Sequence, residues 1–109
     1  AAQFYRCLSE PLRLRILVLL SHQGPLCVCH LQDALEETQV KVSKHLAYLR
    51  RCHLVERSKQ GTWAYYQLTP KAAPLLTENL KLLKTQADDR SYFEHDLARL
   101  KRTTSDDCC

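Results

Sequence analysis

Apolar residues fall in helical register through the first half of the chain. Leu12, Ile16, Leu19 and Leu20 repeat at i, i+4, i+7 and i+8, the buried stripe of a helix that Ser9 would N-cap with Pro11 in its first turn. Gly24-Pro25 ends it. A second, short helix is predicted from about Leu26 to Glu37, with Leu31 and Leu35 four apart. Thr38 is the expected N-cap of a third, running to about Arg51 on a core stripe of Val42, Leu46 and Leu49. At about 100° per residue, Val40, Lys44, Ala47 and Arg51 face directly away from that stripe, with Lys41, Ser43 and Tyr48 on its flanks. The outward side of this helix is basic and hydroxylic.

The pattern then changes. Leu54-Val55 and the aromatic-rich run Thr62 to Leu68, with Lys59-Gln60-Gly61 between them, predict a two-stranded hairpin whose glycine takes the positive φ of the turn. Thr69-Pro70 restarts helix. Leu76, Leu80 and Leu83 form one apolar face, Phe93, Leu97 and Leu100 another, and Asp88-Asp89 is the expected break between them. If residues 1–8 add a short first helix, the order is four helices, a hairpin and a long helical segment. That is a mainly α chain with the layout of a winged helix-turn-helix and a two-stranded β-hairpin wing. In such a domain the third predicted helix enters the major groove and the wing reaches the neighbouring backbone or minor groove. Trp63, Tyr65 and Tyr66 have the chemistry to stack on bases, but are expected to pack the hairpin onto the helices.

Length and composition fit this reading. The 109 residues suffice for one domain, residues 1–109, in which residues 70–109 are the C-terminal helix and a Cys-Cys tail. So small a core makes oligomerisation a natural supplement. The longest apolar run, Ile16 to Leu20, is far too short to span a bilayer and no signal-peptide pattern appears, so a cytoplasmic protein without membrane contact is expected. The chain starts at Ala1 rather than Met, which predicts further residues in the gene product.

Charge sharpens the picture. Residues 70–109 balance seven bases with seven acids, whereas residues 38–62 set Lys41, Lys44, Arg50, Arg51, Arg57 and Lys59 against Glu56 alone. That local surplus of five exceeds the net +4 of the whole chain, the footprint of a surface for a polyanion. On double-stranded DNA, Lys41, Lys44 and Arg51 would neutralise phosphates and Ser43 would add a neutral hydrogen bond. Gln39 suits adenine and Val40 a thymine methyl. His45, about 60° off the core stripe, would reach a phosphate or cap the core edge. Lys59 and Thr62 on the hairpin would grip the flanking backbone.

Six cysteines remain: Cys7, Cys27, Cys29, Cys52, Cys108 and Cys109. They lack the spaced framework of a secreted disulfide scaffold, so soft-ion or redox chemistry is the better expectation. In a regular helix Cys27 and Cys29 would lie about 200° apart and could clasp one ion only with local unwinding. Cys7 and Cys52 fall in helices claimed by the core pattern and are read as structural. Zinc is not expected at the last helix, which offers only His95, and Cys27, Cys29 and His30 would need one more ligand. Enzyme chemistry is not expected, since no Cys/His pair has motif support and no Gly-rich phosphate loop occurs.

Four stretches together resemble the ArsR/SmtB family of bacterial metal- and metalloid-responsive repressors. They are Pro11-Leu-Arg-Leu-Arg-Ile-Leu-Val-Leu-Leu20, Leu26-Cys-Val-Cys-His-Leu31, Val42-Ser-Lys-His-Leu-Ala-Tyr-Leu-Arg50, and Leu54-Val55 with Lys59-Gln-Gly-Thr-Trp-Ala-Tyr-Tyr-Gln-Leu68. The resemblance covers roughly residues 5–80, and Cys-Val-Cys points to its arsenic-sensing branch. It implies a homodimer joined through the first and last helices, each protomer reading half of an inverted-repeat operator, released when inducer binds. It implies no permanent cofactor and a trivalent arsenical or antimonial as inducer, held by cysteine thiolates. Two positions depart from the family pattern. Gln32 stands where the arsenic branch usually has a third thiol, and Cys52-His53 where it has a small residue and Gly, so His53 must adopt the conformation Gly would take.

Trivalent arsenic takes three soft ligands. Cys27 with Cys29, or Cys108 with Cys109 beside Asp106 and Asp107, would supply two of them. Two thiols suit methylarsenite, whose carbon fills the third position. Arsenite needs another thiol from the dimer or from beyond this chain. Two alternatives stay open: a thiol-redox trigger on the same DNA-binding fold, and a zinc-binding interaction module that does not read DNA.

Overall fold

The computed structural model describes residues 6–83 and 94–101. Asp88-Asp89, Phe93, Cys108 and Cys109 lie outside the described residues, as do the side chains of Leu80 and Leu83. The architecture is the expected winged helix, mainly helical with one antiparallel hairpin.

A helical turn at residues 6–8 leads into α1, Pro11–Gln23. Glu10, not Ser9, is its N-cap: the carboxylate accepts from the Leu12 N–H at 3.1 Å. The Ser9 hydroxyl instead donates to Arg6 O at 2.7 Å and closes the preceding turn. Burial in α1 extends beyond the predicted stripe to Leu17 and Val18, because α2, α3, α4 and β2 pack around it. It is the central helix of the domain.

Helix α2, Val28–Leu35, starts two residues later than predicted. Leu26 is drawn into a β-bridge with Tyr66 of the hairpin, exchanging hydrogen bonds of 2.9 and 2.7 Å. Cys27 is therefore the extended N-cap rather than a helical residue. Glu36 ends α2 in the left-handed region at φ 55°. Helix α3, Gln39–Arg51, follows the predicted bounds, with the Thr38 hydroxyl accepting from the Lys41 N–H at 3.3 Å. Val42, Leu46 and Leu49 are fully buried. After Cys52 the chain turns at His53, which takes φ 62°, the glycine-like conformation expected of it.

Strands β1, Val55–Gln60, and β2, Trp63–Leu68, pair from Val55↔Leu68 to Gln60↔Trp63. Lys59 and Gln60 thus belong to β1, and the turn is Gly61-Thr62, one residue later than expected. Gly61, first of the two loop residues, has φ 63°, as a type II′ turn requires. Tyr66 and Leu68 pack against the core, but Trp63 is 48% exposed, which corrects its expected core role. Its place beside the turn carries it past the helices.

Thr69 caps α4, Ala72–Leu83, whose Ala72 and Leu76 are buried. A last helix, α5, over residues 94–101, buries Leu100 and Asp96. Among the described residues no helix is long and apolar enough to cross a membrane.

Candidate nucleic-acid interface and cysteine sites

Helix α3 divides as its period dictates. With its apolar stripe against α1, α2 and β1, the opposite face carries Val40, Lys44, Ala47 and Arg51 into solvent. Val40 is 78% exposed, an exposure the core does not explain. Gln39 and Lys41 are exposed beside it and Ser43 is half-buried on the flank. The Lys41 ammonium lies 3.6 Å from Glu37 one turn back, a loose surface pair of small energetic weight. Lys44 lies exposed on the same face. His45 is half-buried, and burial lowers its pKa below the usual 6.5, with Glu10 partly opposing the shift. At neutral pH it presents an uncharged ring. Lys59 and Thr62 are exposed at the tip of the hairpin. The two ends of the basic surface are thus one helix face and one wing tip.

Cys27 is 3% exposed, its sulfur 3.3 Å from His30 Nδ1. It is disulfide-bonded and so is not a free thiol in this structure. Cys29 is a free, half-buried thiol in the first turn of α2. The expected 200° separation within one regular helix does not apply, because Cys27 precedes the helix. Among the described residues no three His, Cys, Asp or Glu side chains gather where they could hold a metal ion. A three-thiolate set therefore needs sulfur from outside them.

Sequence reasoning missed one pairing. Cys7 and Cys52, treated separately as structural, bring their sulfurs to 2.9 Å. Both are free. Burial and the hydrogen bond to Cys52 push the Cys7 thiol up to about 12. Arg13 organises the same corner: it donates to Cys7 O and Arg6 O at 3.2 Å each and lies 4.1 Å over the Tyr48 ring. The helical periods placed both cysteines inward, but only the tertiary packing sets them against each other.

A family profile described as "Bacterial regulatory protein, arsR family" matches residues 10–57. The chain is 47% identical over 68 residues to the arsenical resistance operon repressor of Escherichia coli K12, spanning 62% of this chain and 58% of that protein. It is 35% identical over 97 residues to the arsenic resistance transcriptional regulator ArsR2 of Pseudomonas putida KT2440, covering 89% of this chain and 83% of the relative. Among solved structures, the transcriptional repressor BigR from Xylella fastidiosa superposes with a TM-score of 0.70 at 29% identity, covering 79% of this chain and 85% of that one. These similar proteins are transcriptional regulators, not enzymes.

Proposed function

Because the chain belongs to the ArsR family of bacterial regulatory proteins, we propose that it is a transcriptional repressor that binds an inverted-repeat operator as a homodimer in the cytoplasm and leaves it when a trivalent arsenical binds its thiolates. The observation that carries the DNA-binding half is the solvent face of α3. Val40 at 78% exposure, with Lys44, Gln39 and Lys41 around it, is an apolar contact ringed by donors and cations on the second helix of a helix-turn-helix. Lys41 and Lys44 take phosphates, Ser43 adds a hydrogen bond, and Gln39 and Val40 meet base edges. Lys59 and Thr62 hold the backbone beyond the groove. Helices α4 and α5, with the N-terminal turn, supply the dimer contact.

The inducer half rests on where Cys27 sits. It follows Leu26, which bridges the wing strand, and caps α2, which packs on α3. Drawing Cys27 and Cys29 onto one arsenic atom reshapes that cap and so shifts both the wing and the recognition helix. Cys108 or Cys109 would supply the third thiolate for arsenite; methylarsenite needs only two. A coupling of about 1–3 kcal/mol, or 5–150-fold in affinity, is typical of such linkage. The disulfide at Cys27 favours a second reading, in which oxidation of these thiols is itself the trigger.

Fluorescence anisotropy on the upstream duplex at several salt concentrations tests the DNA-binding half. Lys44→Ala should weaken binding to every duplex and reduce the salt slope by about one. Loss confined to one base position would assign Lys44 to a base instead, and salt-insensitive binding would leave a protein-interaction module as the better reading.

A further inference from the structure

We propose that Cys7 and Cys52 form an oxidisable dithiol, a second thiol site separate from the one assigned to the inducer, in which a peroxide-class oxidant makes an intramolecular disulfide between the N-terminal turn and the end of the recognition helix. Their sulfurs are 2.9 Å apart, and a disulfide at about 2.05 Å requires them to close by roughly 0.9 Å. Residues 45 apart in sequence meet here through the packing of the fold, with both thiols free.

The two sulfurs are not equivalent. Cys7 is fully buried and donates its S–H to Cys52, so it stays protonated. Cys52 is half-buried, at the cap of α3, and is the sulfur an oxidant can reach. The guanidiniums of Arg6 and Arg13 place positive charge beside Cys7 and offset part of the rise that burial gives its pKa. In the first step the Cys52 sulfur attacks one peroxide oxygen, the O–O bond breaks, and the released hydroxide leaves as water with the thiol proton. In the second the Cys7 sulfur attacks the Cys52 sulfenic sulfur; the S–O bond breaks and the hydroxyl leaves with the Cys7 proton as a second water. Two thiols lose two hydrogens and one peroxide becomes two waters.

The bond would covalently hold what Arg13 and Tyr48 already hold by hydrogen bonds and ring contact. It closes a 45-residue loop with little movement of the folded chain, so the oxidised form should melt at a higher temperature than the reduced form.

The test uses the full chain, reduced, treated with low hydrogen peroxide, blocked with N-ethylmaleimide and digested with trypsin. Cleavage after Arg6, Arg13, Arg51 and Arg57 gives peptides 7–13 and 52–57, each with one cysteine. The expected product is these two peptides joined with loss of two hydrogens, from protein of monomer mobility on a non-reducing gel, and separated again by dithiothreitol. Cys7→Ser keeps a hydrogen-bond donor and should leave Cys52 trapped as a dimedone-reactive sulfenic acid, without the rise in melting temperature that peroxide gives the wild type. Recovery of both peptides as separate maleimide adducts, at a dose that oxidises Cys29, would overturn the proposal. So would Cys52 joined to any other cysteine, or equal melting shifts in wild type and Cys7→Ser.

Discussion

His45 shows how much one side chain's surroundings alter its role. Its position on α3 makes it a natural phosphate contact, yet burial keeps the ring neutral where an exposed histidine would begin to charge. The folded pKa lies below the unfolded value of 6.5, so above that pH neither state is protonated and the group is neutral to stability. As pH falls through 6.5 the unfolded chain takes the proton first, and stability declines until the folded pKa is passed. Denaturant unfolding of wild type and His45→Gln across this range should show the wild type losing more stability on acidification; parallel curves would mean that His45 titrates as an exposed ring. The residue scale is also where the sequence was least legible. The face that carries Val40 and Lys44 followed from period alone, because a helix exposes what its stripe does not bury. The meeting of Cys7 with Cys52, the exposure of Trp63 and the cap at Glu10 all depend on three-dimensional neighbours.

At the scale of elements, α3 and the hairpin were readable because their signals are local: a hydroxyl cap, a 3.6-residue stripe, a glycine in a tight turn. The start of α2 was not. Leu26 looks like a helix residue until a strand 40 residues away hydrogen-bonds it. Likewise nothing local marks Asp96 as buried. It is 1% exposed and receives two hydrogen bonds from Arg15, at 2.7 and 2.8 Å, and one from Arg99 at 2.7 Å. The same two arginines donate to the last carbonyls of α2, Leu35 O at 3.3 Å and Ala34 O at 2.6 Å. This knot joins α5, α1 and the C-terminal end of α2, and satisfies carbonyls that the helix leaves without partners. Removing the carboxylate takes away the buried charge that Arg15 and Arg99 share, while Glu36 stays 3.3 Å from Arg99. Asp96→Ala should cost about 2–3 kcal/mol in chemical denaturation, below the full effect of breaking a deeply buried pair because both arginines keep some water contact. A loss under 0.5 kcal/mol would mean that the knot contributes little to the fold.

The whole molecule links its surfaces through α2. This helix packs on α3, its cap residue follows the bridge to the wing, and its far end is tied to α5 by arginines. A change at Cys27 therefore has a short path to α3 and the wing, the two elements proposed to bind DNA, and to the helix proposed for the dimer contact. Two-fold assembly would place the recognition helices one helical turn of DNA apart, or a multiple of it, and so match an inverted repeat. The family resemblance was legible in the sequence because its four stretches sit on the core stripes and the wing. The complete inducer site was not, since the described residues hold only Cys27 and Cys29 of the proposed set.

We propose that a trivalent arsenical releases this protein from DNA through these thiols. Fluorescence anisotropy of the fully reduced protein on its upstream duplex, titrated with arsenite and then methylarsenite, tests it most directly. At least one arsenical should lower the affinity 5–150-fold, and Cys27→Ser/Cys29→Ser should abolish the response while retaining DNA binding. Wild type that stays bound through both titrations, or a double variant released as readily as wild type, would contradict the account.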